Sequence, residues 1–190
     1  NIEPSILPNS RIQKQTTPTY SHQSIDSQPA MERVADYPRP PLLVPCQDPI
    51  LVKAGGVVIC ETTTSYRVLE TFHPPTYYLD PEAFRLDLLE PAMGTSFCEW
   101  KGLARYFDLV VPAPGDGPKK RINKVVWQYP QPSAAFGPIA GWFSLYPGAM
   151  DGCWVNGEAV IAQPGGFYGG WITSQVEGPF KGDPLHPELR

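Results

Sequence analysis

Long apolar runs are missing from this 190-residue sequence. Nothing in it approaches the roughly 20 consecutive apolar residues that cross a bilayer as a helix, so a membrane partner is not expected. Excess positive charge is missing as well. Fifteen Lys and Arg stand against 19 Asp and Glu, a net charge of -4. No basic field gathers phosphates, and nucleic acid is not an expected partner. Cysteine is sparse: Cys46, Cys60, Cys98 and Cys153 are scattered, with no C-x-x-C pair and no histidine close by. That spacing predicts no metal site, and it favours free thiols in a reducing, cytoplasmic setting over disulfides. The first thirty residues lack the apolar centre of a signal peptide, so none is expected there.

What the sequence has in excess is proline and glycine, 24 and 17 residues. Proline on this scale breaks long helices, and the backbone must turn often. Residues 1–30 are rich in Ser, Thr, Gln and Pro and show neither helical nor strand periodicity, which predicts a flexible, Pro-rich arm. A homodimer joined through that arm is compatible with this layout. Residues 31–182 form the expected folded domain and 183–190 a frayed tail. Asp36-Tyr-Pro-Arg-Pro-Pro41 is held extended by its prolines and can lay Tyr37 and Arg39 over the mouth of a cleft.

From Pro49 onward the pattern is that of strands. Ile50 to Val52 and Val57 to Cys60 flank Gly55-Gly56 as a hairpin, and Tyr66 to Glu70 follows. In that strand Val68 and Glu70 share one side, Arg67 and Leu69 the other. Tyr77 to Leu79, Leu103 to Val111, Lys124 to Tyr129 and Trp142 to Tyr146 read as further strands. Residues 112–118 supply a loop, and Ser133 to Gly141 has room for one helical turn at most. Asn156-Gly157 between Cys153-Trp-Val155 and Glu158 to Ile161 is the signature of a type I′ hairpin. Ile172 to Val176 is the last expected strand. The predicted fold is mainly β: a single domain of two antiparallel sheets or an open, barrel-like sheet with little helix.

Several separated blocks, taken together, resemble the DUF427 family. They are Asp36-Tyr-Pro-Arg-Pro-Pro, Arg67-Val-Leu-Glu-Thr with His73-Pro-Pro-Thr-Tyr-Tyr, Trp100-Lys-Gly, Trp127 to Pro130, Ile139-Ala-Gly with Tyr146-Pro-Gly, and Gly165-Gly-Phe-Tyr-Gly-Gly-Trp with Gly178-Pro-Phe-Lys-Gly. The likeness runs from about Tyr37 to Gly182. Glu99 stands where the family's Cys-Pro-Trp-Lys-Gly block carries proline. The resemblance implies a small, mainly β domain with no established general activity. The family is sometimes described as nucleotidyltransferase-like, but that chemistry needs clustered carboxylates for Mg²⁺ and commonly a phosphate cradle. Here Asp87 and Glu90 are separated by leucines, and the glycines around Phe167 and Tyr168 carry no Lys-Ser or Lys-Thr pair.

Three histidines are present, and His73 alone lies outside the chain ends. It sits where Pro74-Pro75 stops a strand, a place from which a rigid side chain can reach a cleft. Glu70, three residues earlier, is the expected partner, fixing the imidazole tautomer and raising its pKa toward neutrality. The competing reading ties Glu70 to Arg67 or Lys101 and leaves His73 structural. Lys101, between Trp100 and Gly102, is a cation over a ring or an oxyanion-binding amine. Tyr77 and Tyr78 face opposite ways, so one joins the pocket. Alternation does not say which; Tyr78 is assigned the proton-donor role. Trp100, Trp127, Tyr129, Tyr168 and Trp171, with Tyr77, are the candidate ligand contacts. The expected function is metal- and cofactor-independent acid/base chemistry on a small organic molecule, as a lyase, isomerase or cyclase; the alternative is a non-catalytic binding module.

Overall fold

A computed structural model describes residues 30–113 and 117–189. The expected arm over residues 1–30 therefore lies almost wholly outside the described residues, as do 114–116 of the expected loop. The described chain contains no α-helix, only short 3-10 turns between strands. In chain order the strands are β1 (Glu32–Arg33), β2 (Leu42–Cys46), β3 (Ile50–Ala54), β4 (Val57–Thr62), β5 (Ser65–Leu69), β6 (Thr76–Leu79), β7 (Leu89–Cys98) and β8 (Gly102–Val111). They continue as β9 (Lys120–Gln128), β10 (Phe143–Leu145), β11 (Gly152–Val155), β12 (Glu158–Ala159), β13 (Ile161–Ala162), β14 (Trp171–Ile172) and β15 (Val176–Glu177).

Seven strands form an open antiparallel sheet in the order β2-β5-β6-β10-β9-β8-β7, and four form a second, β12-β11-β3-β4. The mainly β, two-sheet expectation is met, and the sheet does not close into a barrel. The local hairpins form where the turn residues demand them. Gly55 and Gly56 (φ 59° and 74°) turn β3 into β4, and Asn156 and Gly157 (φ 51° and 78°) make the left-handed pair of a type I′ turn. Ten-residue β7 lies at an exposed edge and carries few buried apolar residues, so it has no hydrophobic alternation to announce it. The C-terminal strand expected over Ile172 to Val176 is two short strands. One pairs with β13; the other lies parallel to β1. The segment expected as a frayed tail turns through a 3-10 element at Pro187–Leu189.

Because side chains alternate along a strand, the large sheet has two apolar faces. One meets the four-stranded sheet and makes the main core, with Leu79, Leu109, Val126 and Leu145 against Ile50, Val52, Ile59 and Val155. The other face carries Val68, Tyr78, Ala104, Trp127 and Tyr129, and Phe136 and Ile139 of the 3-10 turn Ala134–Ile139 pack on part of it. The uncovered remainder of this second face is where the polar side chains gather.

Candidate functional site

The floor of a cleft of about 370 Å³ is this second face: Val68, Tyr78, Tyr106, Trp127 and Tyr129. Three chain segments make its walls. The break after β5 brings Glu70 and His73, the β7–β8 turn brings Glu99, Trp100 and Lys101, and the C-terminal loops bring Gln163, Tyr168 and Lys181. Arg39, from the Pro-rich segment, lies at the rim, with its guanidinium 5.6 Å from the centre of the Trp100 ring. A wider depression of about 690 Å³ on the outside of the four-stranded sheet, bordered by Lys53, Glu61 and Trp154, contains none of the candidate residues.

Backbone strain sits next to His73. Phe72 takes φ +64°, a left-handed conformation that costs a side-chain-bearing residue about 1–2 kcal/mol. Its backbone is clamped from both chain ends: its N–H donates to Val34 O at 2.9 Å, and its carbonyl accepts from the Lys181 N–H at 2.8 Å. The tight turn, closed by the His73 N–H to Glu70 O bond of 2.9 Å, swings the two side chains apart.

The expected Glu70–His73 pair is therefore not formed. The Glu70 carboxylate meets Arg39 at 3.2 Å, and Arg39 also bonds Glu99 at 2.9 Å. Neither Arg67 nor Lys101 is its partner; Arg67 pairs with Glu32. The partner of His73 is Gln163, whose Nε2 lies 3.1 Å from Nδ1. The same Nε2 donates to Lys181 O at 2.9 Å. With no carboxylate beside it, the imidazole titrates below its ordinary value. Burial, and then the charge of Lys181, push it down to about 4, with Lys101 and Arg39 adding to the effect.

Strand alternation separates the two tyrosines. Tyr78 faces the cleft side, fully buried, and its hydroxyl oxygen lies 3.4 Å from Trp127 Nε1. That burial holds its hydroxyl well above the usual range. Tyr77 points into the inter-sheet core, its ring 5.0 Å from that of Trp171. One of the two was expected at the pocket: Tyr78 lies in the cleft floor, and Tyr77 fills the inter-sheet core. Trp171 is wholly buried because the Gly169-Gly170 approach seats it between the sheets. Trp100, Trp127, Tyr129 and Tyr168 do border the cleft. Lys101 Nζ stands 5.7 Å from the Tyr129 ring centre and 5.6 Å from that of Phe136, and Lys181 Nζ stands 5.7 Å from that of Tyr168. Gln163, buried at 4 % exposure, was not anticipated, since a single glutamine after a strand carries no motif.

Asp87 and Glu90 lie outside the cleft, ion-paired with Arg85 and Arg121. No helix of the described residues is long and apolar enough to cross a membrane. All four cysteines are free thiols.

The class defined by these features is a two-sheet β domain with a ring-floored cleft on the outer face of its larger sheet. The chain belongs to the family described as "Domain of unknown function (DUF427)", whose model matches residues 42–156. That span includes Glu70, His73 and Lys101; Arg39 precedes it, and Gln163, Tyr168 and Lys181 follow it. No curated protein matches the chain.

Proposed function

We propose that the cleft takes a small organic molecule and that the protein acts on it by proton transfer, as a lyase, isomerase or cyclase does. The observation that carries the reading is the convergence of His73, Lys101, Lys181 and Tyr78, distant in sequence, around one ring-lined hollow. A cleft of about 370 Å³ sits at the small end of ligand pockets, which run from roughly 300 to 1,000 Å³. Its lining supplies rings, amines and hydroxyls rather than clustered carboxylates, a set suited to stabilising charge that develops on a substrate oxygen. Lys101 is the cation for that oxygen. Tyr78, kept protonated by burial, is the donor, and Glu70, one of two carboxylates at the cleft with Glu99, takes the proton. His73, neutral at pH 7, polarises. The cytoplasm, where the four thiols stay reduced, is the setting this reading implies.

A specific observation favours a second reading, a non-catalytic binding module. Glu70 is neutralised by Arg39, and His73 lacks a carboxylate to orient it. The two are separated by incubating the protein with a metabolite extract and following retention and consumption by mass spectrometry, then repeating with His73→Gln and Glu70→Gln. Under the enzymatic reading one compound is consumed, and each variant slows that by about 100-fold or more, Glu70→Gln while binding it within a few-fold of the wild type. A compound that is retained and never consumed sinks the enzymatic reading.

A further inference from the structure

Gln163 has one orientation open to it. Its Nε2 lies 2.9 Å from the carbonyl oxygen of Lys181, so this atom is the amide NH₂; the reverse assignment would set two acceptors against each other. The second hydrogen of that NH₂ serves His73 Nδ1 at 3.1 Å. Nδ1 is thus the acceptor, and a neutral imidazole whose Nδ1 accepts carries its proton on Nε2. Nε2 has no hydrogen-bond partner among the described residues, is not wholly buried, and belongs to a ring that borders the cleft. The ring therefore presents an N–H there, not a lone pair.

The two lysines extend that donor surface. Lys101 and Lys181 stand over aromatic rings, and neither ammonium reaches a carboxylate within ion-pair distance among the described residues. Arg39 differs, being engaged by Glu70 and Glu99. His73, Lys101 and Lys181 line the same cleft, and both ammoniums bear electrostatically on the ring. Two ammoniums free of carboxylates and an N–H over a floor of rings make a set of unpaired donors, beside a cluster in which Arg39 already holds Glu70 and Glu99.

We infer that this corner of the cleft is a subsite for the carboxylate of a small ring-bearing acid, and that Gln163 is the positioning residue that makes His73 a donor in it. The inference rests on the small-molecule reading above and adds the charge and the chemical group. A carboxylate offers about four lone-pair directions, which suit two ammoniums and an imidazole N–H. Phosphate recognition would draw on a free guanidinium, and Arg39, the one guanidinium at the cleft among the described residues, is already engaged.

The full chain, labelled with ¹⁵N in its histidine rings, tests both halves, with His73 assigned from the His73→Gln spectrum. At pH 7 the His73 Nε2 is expected to be protonated and Nδ1 bare, and Gln163→Met, which keeps the length and removes the donor, is expected to give mixed tautomers. Benzoate is expected to shift the Nε2 resonance and to bind at least tenfold tighter than benzamide. Lys101→Gln and Lys181→Gln are each expected to weaken benzoate about tenfold. An Nδ1–H tautomer in the wild type, benzamide equal to benzoate, or phenyl phosphate more than tenfold tighter than benzoate overturns the inference. Benzoate that binds without moving His73 overturns the subsite alone, whereas no binding of any ring compound removes the small-molecule reading with it. If Gln163→Met does not fold, the wild-type tautomer and the lysine variants still decide.

Discussion

His73 is the residue on which pH acts most directly. Its folded pKa, pushed down to about 4 by burial and then by Lys181, lies below the roughly 6.5 of an unfolded histidine. Between those values the unfolded chain binds the proton and the folded one does not, so stability rises with pH through the window. The contribution is complete above about pH 6.5 and is lost as pH falls toward 4; it amounts to roughly 3 kcal/mol. The charged groups facing the ring are Lys181, Lys101 and Arg39, the last held by Glu70, and none turns the sign. Denaturant unfolding of wild type and His73→Gln at intervals from pH 4 to 7 checks it: the wild-type loss should exceed that of the variant by about that amount, and parallel profiles would refute the shift. His73, Lys101 and Arg39 could be read from the sequence because each is a chemically distinctive residue beside a proline or a ring. Gln163 could not, since its role depends on a carbonyl 18 residues away. Strand alternation set Tyr77 and Tyr78 apart, but only the tertiary fold decides which face is core.

At the scale of elements, the loop between β13 and β14 makes the cleft wall by approaching the sheet more closely than a side chain allows. A Cβ on Gly169 would lie 2.3 Å from the Trp127 ring, and one on Gly170 would lie 2.4 Å from Gln163 Oε1. The Gly-rich stretch read from the sequence as a close backbone approach has its reason in these two contacts. Gly169→Ala must displace the indole or lift the loop, and overpacking of this kind costs about 1–3 kcal/mol. The expected result is a lowered denaturation midpoint with an altered tryptophan emission. Gly157→Ala is the comparison: no atom stands within 4 Å of its Cβ, and its φ of +78° confines the penalty to backbone strain, so emission should stay unchanged. Hairpins such as β3–β4 and β11–β12 were legible because turn residues are local. Edge strand β7 was not, because an exposed strand needs no apolar alternation.

On the scale of the whole molecule, the cleft depends on the two ends of the described chain meeting around the break after β5. β1 lies parallel to β15, and Val34 and Lys181 bracket Phe72. Such pairing across most of the chain has no local signature, which is why the sheet order was beyond the sequence while the strand content was not. One partly buried group anchors the arrangement: Glu32 accepts from Arg67 Nη2 at 2.7 Å and from the Tyr37 hydroxyl. Arg67, with its side chain 16 % exposed and its Nε unpartnered, has little access to water as a substitute. Glu32→Gln should therefore cost about 1–3 kcal/mol, more than an exposed ion pair contributes, because it strands a guanidinium. Replacing Arg67 by Met in the same chain should return part of that loss, since removing both charges leaves neither unpaired. Denaturant unfolding of the two single variants and the double variant measures the coupling. If the two losses simply add, the pair does not hold the chain ends together, and the bracket around Phe72, with the His73 orientation it sets, must be stabilised from elsewhere.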